Sequence, residues 1–168
     1  MAPAEGVIDR YRRRLDPSSR YRSPAHVTVL FPFMAPGHIS EAVIEELGTV
    51  FARCDSFDFS LSEVGWFDDR VVYLDPTPVD PFRELTTAVT AAFPDYPPYE
   101  GAFEEVIPHV CIGRQAPRLL LRTAGWLVKR HLPITGTVNE VWLMTIGDPE
   151  PFYFLRHVFR LNAPHPGS

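Results

Sequence analysis

Pro24-Ala25-His26-Val27-Thr28-Val29-Leu30 and Ile107-Pro108-His109-Val110-Cys111-Ile112-Gly113 follow one pattern, a proline and then a histidine opening an alternating run. In an extended chain, side chains alternate between faces, so His26 and Thr28 share one face while Val27 and Val29 share the other. His109 and Cys111 repeat the arrangement over Val110 and Ile112. Each segment reads as a strand anchored by its apolar face and offering an imidazole with a small polar group on the opposite face. Two such strands suit an anion held between two imidazoles, and phosphate is the natural candidate.

The rest of the chain repeats a matching order around each histidine. Upstream of His26, the spacing of Val7, Ile8, Tyr11 and Leu15 predicts a helix over Ala4 to Leu15, ended by Asp16-Pro17. The first histidine strand is expected from His26 to Phe33. Ile39, Val43, Ile44, Leu47, Val50 and Phe51 then predict an amphipathic helix from Ser40, a plausible N-cap, to Arg53. Phe57, Phe59 and Leu61 begin a strand running toward Trp66 and Phe67, and Asp68-Asp69 turns it into a second strand over Arg70 to Leu74.

Asp80-Pro81 is a good helix start, continued by Phe82, Leu85, Val89 and Phe93. A long loop from Pro94 to Glu105 delivers the chain to the second histidine. Pro117 opens a helix toward His131 with apolar Leu120, Ala124, Leu127 and Val128, and Gly125 inside it lowers helix stability by about 1 kcal/mol relative to alanine. Ile134 to Ile146 and Phe152 to Leu161 read as a final pair of strands. The expected fold is α+β: two small, mainly antiparallel sheets related by an approximate twofold, helices outside, and the histidine strands facing each other across a central groove. The 168 residues form one bilobal domain with halves of roughly 1–67 and 70–161, their terminal strands free to exchange.

Composition narrows the function. A net charge of −5 argues against gripping long duplex nucleic acid, which depends on many Lys and Arg contacts to phosphates. A small or single-ended phosphorylated ligand remains open. Six of the sixteen basic residues fall between Arg10 and Arg22, a pattern that reads as a solvated helix face. Proline is abundant at 18 residues, clustered at Pro76–Pro81, Pro94–Pro98, Pro149–Pro151 and Pro164–Pro166, which predicts short elements between loops. Two cysteines, Cys54 and Cys111, make neither a disulfide framework nor a Cys-x-x-Cys site. With neither a signal-peptide core nor an apolar run long enough to span a bilayer, the expected location is the cytoplasm, away from membranes, and no protein partner is inferred.

Two histidines flanking a phosphodiester can divide the work, one taking a proton from the attacking hydroxyl and the other donating to the leaving oxygen. A hydroxyl two residues after a histidine can donate to a non-bridging phosphate oxygen. Such chemistry needs neither metal nor cofactor.

His26-Val27-Thr28-Val29 and His109-Val110-Cys111-Ile112 resemble the paired His-hydrophobic-Thr/Ser-hydrophobic motifs of the 2H phosphoesterase superfamily. The run Pro24 to Phe33, with Phe93-Pro94-Asp95-Tyr96-Pro97-Pro98-Tyr99 ahead of the second motif, is similar to bacterial proteins of the 2′-5′ RNA ligase family. That resemblance implies a bilobal fold with a central groove and metal-independent opening of 2′,3′-cyclic phosphates or reaction at 2′-5′ linkages, on RNA ends or small nucleotides. It implies His26 and His109 as the acid and base pair, with either order open, and Thr28 as a phosphate ligand. Position 111 departs from the pattern, because a thiol is a weaker donor than the usual hydroxyl. Family members also carry a strand before the first helix, so either the first lobe is one strand short or the start lies upstream.

Three readings of function follow. The leading one is a two-histidine phosphodiesterase with His26, His109, Thr28 and Cys111 around the phosphate. The second is a nucleotide- or phosphate-binding module of the same fold with turnover weakened by Cys111. The third is a Cys/His hydrolase using the Cys111 thiolate, which the spacing along one strand face, about 7 Å, disfavours unless His26 reaches it. Tyr99, Phe31 and Trp66 are candidates to stack a nucleobase, with Tyr99 the strongest, and Arg114 is a candidate for a terminal phosphate. Trp142 and Arg122 carry the same options more weakly. His38, His131, His157 and His165 read as structural.

Overall fold

Helical spacing at Ile8 and Leu15 does form a helix. In the computed structural model, which describes residues 1–163, α1 spans Ala2–Leu15 and buries Ala4, Ile8 and Leu15 along one face. His165 and the Pro164–Pro166 cluster lie outside the described residues. Arg12 is buried on the same face, its Nη2 donating to Asp16 Oδ2 at 3.0 Å and its Nη1 to the Ser23 carbonyl at 3.1 Å. A guanidinium is tolerated there because it is paired. Asp16 does more than end the helix: it caps the short α2, Pro17–Arg20, accepting from the Ser18 N–H at 3.1 Å.

The chain divides into two units of three segments each. The first unit comprises Met1–Val27, Asp58–Pro78 and Pro108–Gly136, and the second Thr28–Phe57, Val79–Ile107 and Thr137 onward. Neither unit coincides with the expected halves 1–67 and 70–161. Both histidines belong to the first unit, where tertiary pairing, which local pattern does not encode, gathers them.

The first unit is built on a four-stranded sheet of β1 (Phe57–Phe67), β2 (Val71–Thr77), β3 (Val110–Arg114) and β4 (Ile134–Val138), in the order β3-β2-β1-β4. Asp68 and Asp69 take positive φ values of 45° and 58° and turn β1 into its antiparallel partner β2. β2 then pairs antiparallel with β3. Period-two alternation is evident in burial: Val72, Leu74, Val110 and Ile112 are fully buried while Tyr73, Asp75 and Cys111 turn the other way. α1 and α5 (Arg118–Val128) pack against these strands. Full burial of each such aliphatic contributes about 1.5 to 3 kcal/mol.

α5 buries Leu121, Ala124, Gly125 and Val128, whereas the expected core residue Leu120 is half exposed. Gly125 has a packing reason, since a Cβ there would come within 3.1 Å of Val72 and 3.2 Å of Val64. The helix lies so close to the sheet that glycine's weak propensity is outweighed.

In the second unit, α3 (Glu41–Phe51) and α4 (Asp80–Ala92) pack with the antiparallel hairpin of β5 (Glu140–Ile146) and β6 (Tyr153–Arg160). The core joins Ile44, Leu47 and Phe51 of α3 to Leu85 and Val89 of α4 and Phe159 of β6. Ser40 caps α3 as its sequence predicts, accepting from the Val43 N–H. The single strand expected over Ile134 to Ile146 is two strands, β4 and β5, separated at Asn139.

The clearest correction concerns the strand expected from His26 to Phe33. Only Val27 makes a β-bridge, and the residues after it follow no strand. Their carbonyls have other partners: Val29 accepts from Thr86 Oγ1 at 2.8 Å and Phe31 from the Tyr99 N–H at 2.7 Å. Backbone groups already satisfied by a side chain and a loop do not extend a ladder.

Candidate active site

The second histidine segment is held by the sheet. β3 begins at Val110, so His109 immediately precedes it, and Val110 is fully buried beneath the helices. The first histidine segment joins through the antiparallel bridge from Val27 to Val110. In that register His26 lies across from Cys111, and the imidazole of His109, two residues before Cys111, lies diagonally from His26. Diagonal neighbours of this kind sit about 7 to 8 Å apart, within reach of long or aromatic side chains. The two valines turn to the core, so both imidazoles and Cys111 share the opposite face.

His109 is half buried against two aromatic rings that sequence reasoning missed. Phe67 and Tyr73 stack at 4.2 Å, and His109 packs edge-on to both, at centroid distances of 5.0 Å and 5.3 Å. Room for this cluster comes from Gly65, opposite Tyr73 in the β1–β2 register, where a Cβ would overlap the tyrosine ring. Beside Tyr73 on the same face stands Asp75, and Glu63 on β1 is its partner across the pair. Burial pushes the Asp75 carboxyl up, the charge of Glu63 pushes it further, and His109 pulls it back down. Burial and Asp75 likewise raise Tyr73.

His26 is exposed, and its Nδ1 is 2.7 Å from the Pro24 carbonyl. Desolvation by neighbouring protein is the main cause of an imidazole held below its ordinary value, with the Arg12 charge acting the same way against the Pro24 hydrogen bond. Asp16 is held below the usual carboxylate range: burial opposes its charge, but the Ser18 hydrogen bond and the Arg12 guanidinium outweigh it. Arg114 completes the cluster, its Nε donating to Asp16 Oδ1 at 3.1 Å. That pairing gives Arg114 a structural engagement, while its side chain remains 45% exposed.

Cys111 is half buried, and burial together with Asp16 pushes its thiol up to about 12. A thiol held protonated weighs against the Cys/His hydrolase reading, although the bridge register does place His26 across from Cys111.

The remaining candidates separate. Thr28 and Phe31 open the second unit, which also carries Tyr99. There the Tyr99 N–H ties its loop to Phe31, and the Tyr99 ring meets exposed Phe103 edge-on at 5.5 Å. Trp66 faces α5, with Cζ2 only 3.4 Å from where a Gly125 Cβ would lie, on the side of the sheet opposite Phe67. Alternation along β1 thus turns Phe67, not Trp66, toward His109. Trp142 donates its Nε1–H to Glu140 at 2.7 Å. Among the described residues, no group of three or more His, Cys, Asp or Glu side chains is arranged to hold a metal ion, and no helix is long and apolar enough to cross a membrane.

Solved structures share this fold. Thermus thermophilus TT0787 matches with a TM-score of 0.65 at 15% identity, covering 98% of this chain and 93% of its own. E. coli LigT, solved with 3′-AMP, gives 0.57 at 18% identity, covering 96% and 92%. LigT solved with NADP+ gives 0.56 at 17% identity with the same coverage. At these identities the likeness establishes the fold alone, an α+β fold shared with TT0787 and LigT. No curated protein matches in sequence. A sequence profile nevertheless aligns with residues 2–150, both histidine segments included, and on that match this chain belongs to the 2′-5′ RNA ligase superfamily.

Proposed function

We propose that this chain is a phosphodiesterase acting on 2′,3′-cyclic phosphates or 2′-5′ linkages, in RNA ends or small nucleotides, with His26 and His109 exchanging protons across one phosphorus centre. The observation carrying this reading is the Val27 to Val110 bridge, whose register gives two imidazoles one face at diagonal spacing. A neutral imidazole takes the proton of the attacking hydroxyl while a charged one protonates the leaving oxygen, each role contributing about 10² to 10⁴ in rate. Thr28, two residues after His26, is assigned a hydrogen bond to a non-bridging oxygen, where charge accumulates. Cys111 occupies the corresponding place after His109 as a neutral, weak donor. Arg114 is assigned to a further phosphate. The nucleotides named with LigT, 3′-AMP and NADP+, fit a ligand of this class.

The weak donor at position 111 favours one second reading, a binding module with little turnover. Hydrolysis of a 2′,3′-cyclic nucleotide by the full chain separates the two. The enzyme reading expects turnover that falls at least 100-fold in His26→Ala and in His109→Ala. Tight binding without turnover, indifferent to both substitutions, overturns it.

A further inference from the structure

We propose that Asp75 is a positioning residue for His109, holding that imidazole in its protonated, proton-donating form and so leaving His26 to serve as the base. The inference rests on the two-histidine reading and breaks the symmetry that reading leaves.

The geometry starts from register. Tyr73 pairs with Cys111 and Leu74 with Val110, the last pair of the ladder, so continuing that register one step brings Asp75 opposite His109 just beyond the strand end. Leu74 and Val110 are fully buried on the helix side, which turns Asp75 and His109 to the other face, where the Tyr73 ring already meets His109 at 5.3 Å. Opposite-charge side chains directly across a strand pair have Cβ atoms about 4.5 to 5.5 Å apart and stabilise each other.

The two imidazoles consequently stand in fields of opposite sign. Ionisable groups that register places around His109 include Asp75 and Tyr73 on β2, Glu63 on β1 beyond Asp75, Cys111 on β3, and His26 itself across the Val27 bridge. Two of these are carboxylates, and the thiol and phenol are neutral near pH 7. Those acting on His26 are Arg12, Asp16 and the Met1 ammonium, and the Asp16 charge is shared with Arg12 and Arg114. A carboxylate within about 4 to 6 Å favours the charged imidazole, while burial beside a guanidinium favours the neutral one. An acid and base pair works best in that order, because both required protonation states are then abundant together.

Titration of each imidazole by NMR tests this without requiring turnover. In Asp75→Asn the His109 midpoint should fall by about one unit while the His26 midpoint stays in place. The alkaline limb of kcat/KM on a 2′,3′-cyclic nucleotide should fall with it, KM should change little, and Asp75→Glu should restore the limb. Linkage requires the reciprocal effect, so in His109→Ala the Asp75 carboxyl should titrate at higher pH. That second measurement stands even if Asp75→Asn does not fold. A His109 midpoint unmoved by Asp75→Asn, or an Asp75 midpoint indifferent to His109→Ala, overturns the inference. Coupled midpoints in a protein that does not turn over cyclic phosphates would instead sink the enzymatic reading and leave the coupling intact.

Discussion

An antiparallel bridge joins Val27 to Val110, and through it two histidines remote in sequence come to flank one cysteine. A one-residue slip in that bridge would carry His26 to the core face, since side chains alternate strictly. Its register is held because Val110 is fully buried under α1 and α5, where a polar ring has no partner.

The pH dependence of turnover follows from His26. Its imidazole is held low by desolvation, so the acid limb of kcat/KM should lie below about 6.5, the ordinary imidazole value. The same shift enters stability with a definite sign. The contribution is fully present above the unfolded value and is lost as pH falls from there through the folded one. A pH–rate profile and a pH series of thermal melts check the two halves of this statement.

Cys111→Thr should retain or raise phosphodiesterase activity, because it replaces a weak donor with a hydroxyl. The thiol, raised to about 12, should also resist iodoacetamide at pH 7, leaving activity unchanged after treatment. Abolition of activity by either would return Cys111 to the role of nucleophile.

Gly65→Ala should disturb the histidine without touching it. A methyl group there overlaps the Tyr73 ring, which stacks on Phe67 and supports His109. Overpacking of this kind costs about 1 to 3 kcal/mol. The melting temperature should fall and kcat should fall with it, more than in a Gly48→Ala control in α3, where a Cβ meets nothing within 4 Å.

Arg12→Ala should be the most damaging single substitution proposed here. Asp16, 1% exposed in its side chain, would lose its main buried counter-charge, and breaking such a pair costs about 3 to 5 kcal/mol. Asp16 is held below the ordinary carboxylate value, so its stabilisation is present above about 3.9 and lost as pH falls through its folded value. Urea denaturation from pH 7 to pH 2 should show that loss in the wild type and a flatter acid response in Asp16→Asn.

Sequence pattern carried much of the architecture because its signals are local. Ser40 capping α3, the Asp68-Asp69 turn and the alternation through Phe57, Phe59 and Leu61 are all decided within a few residues. The residues from His26 to Phe33 misled because their alternation is strand-like, yet Thr86 and Tyr99, more than fifty positions away, take their carbonyls. Arg12 misled in the opposite sense, a cation on an apolar helix face made tolerable by Asp16 and Ser23.

Sequence by itself determined the paired histidine segments, their anchoring valines and the α+β alternation of elements, since each depends on periodicity along a short stretch. Only the tertiary structure decided that a bridge to β3 brings the first histidine segment beside the second, that Tyr73, Phe67 and Asp75 stand near His109, and that Trp66 turns away. Those outcomes depend on strand order and register, set by which buried faces fit together across the chain, and no local run of residues encodes that fit.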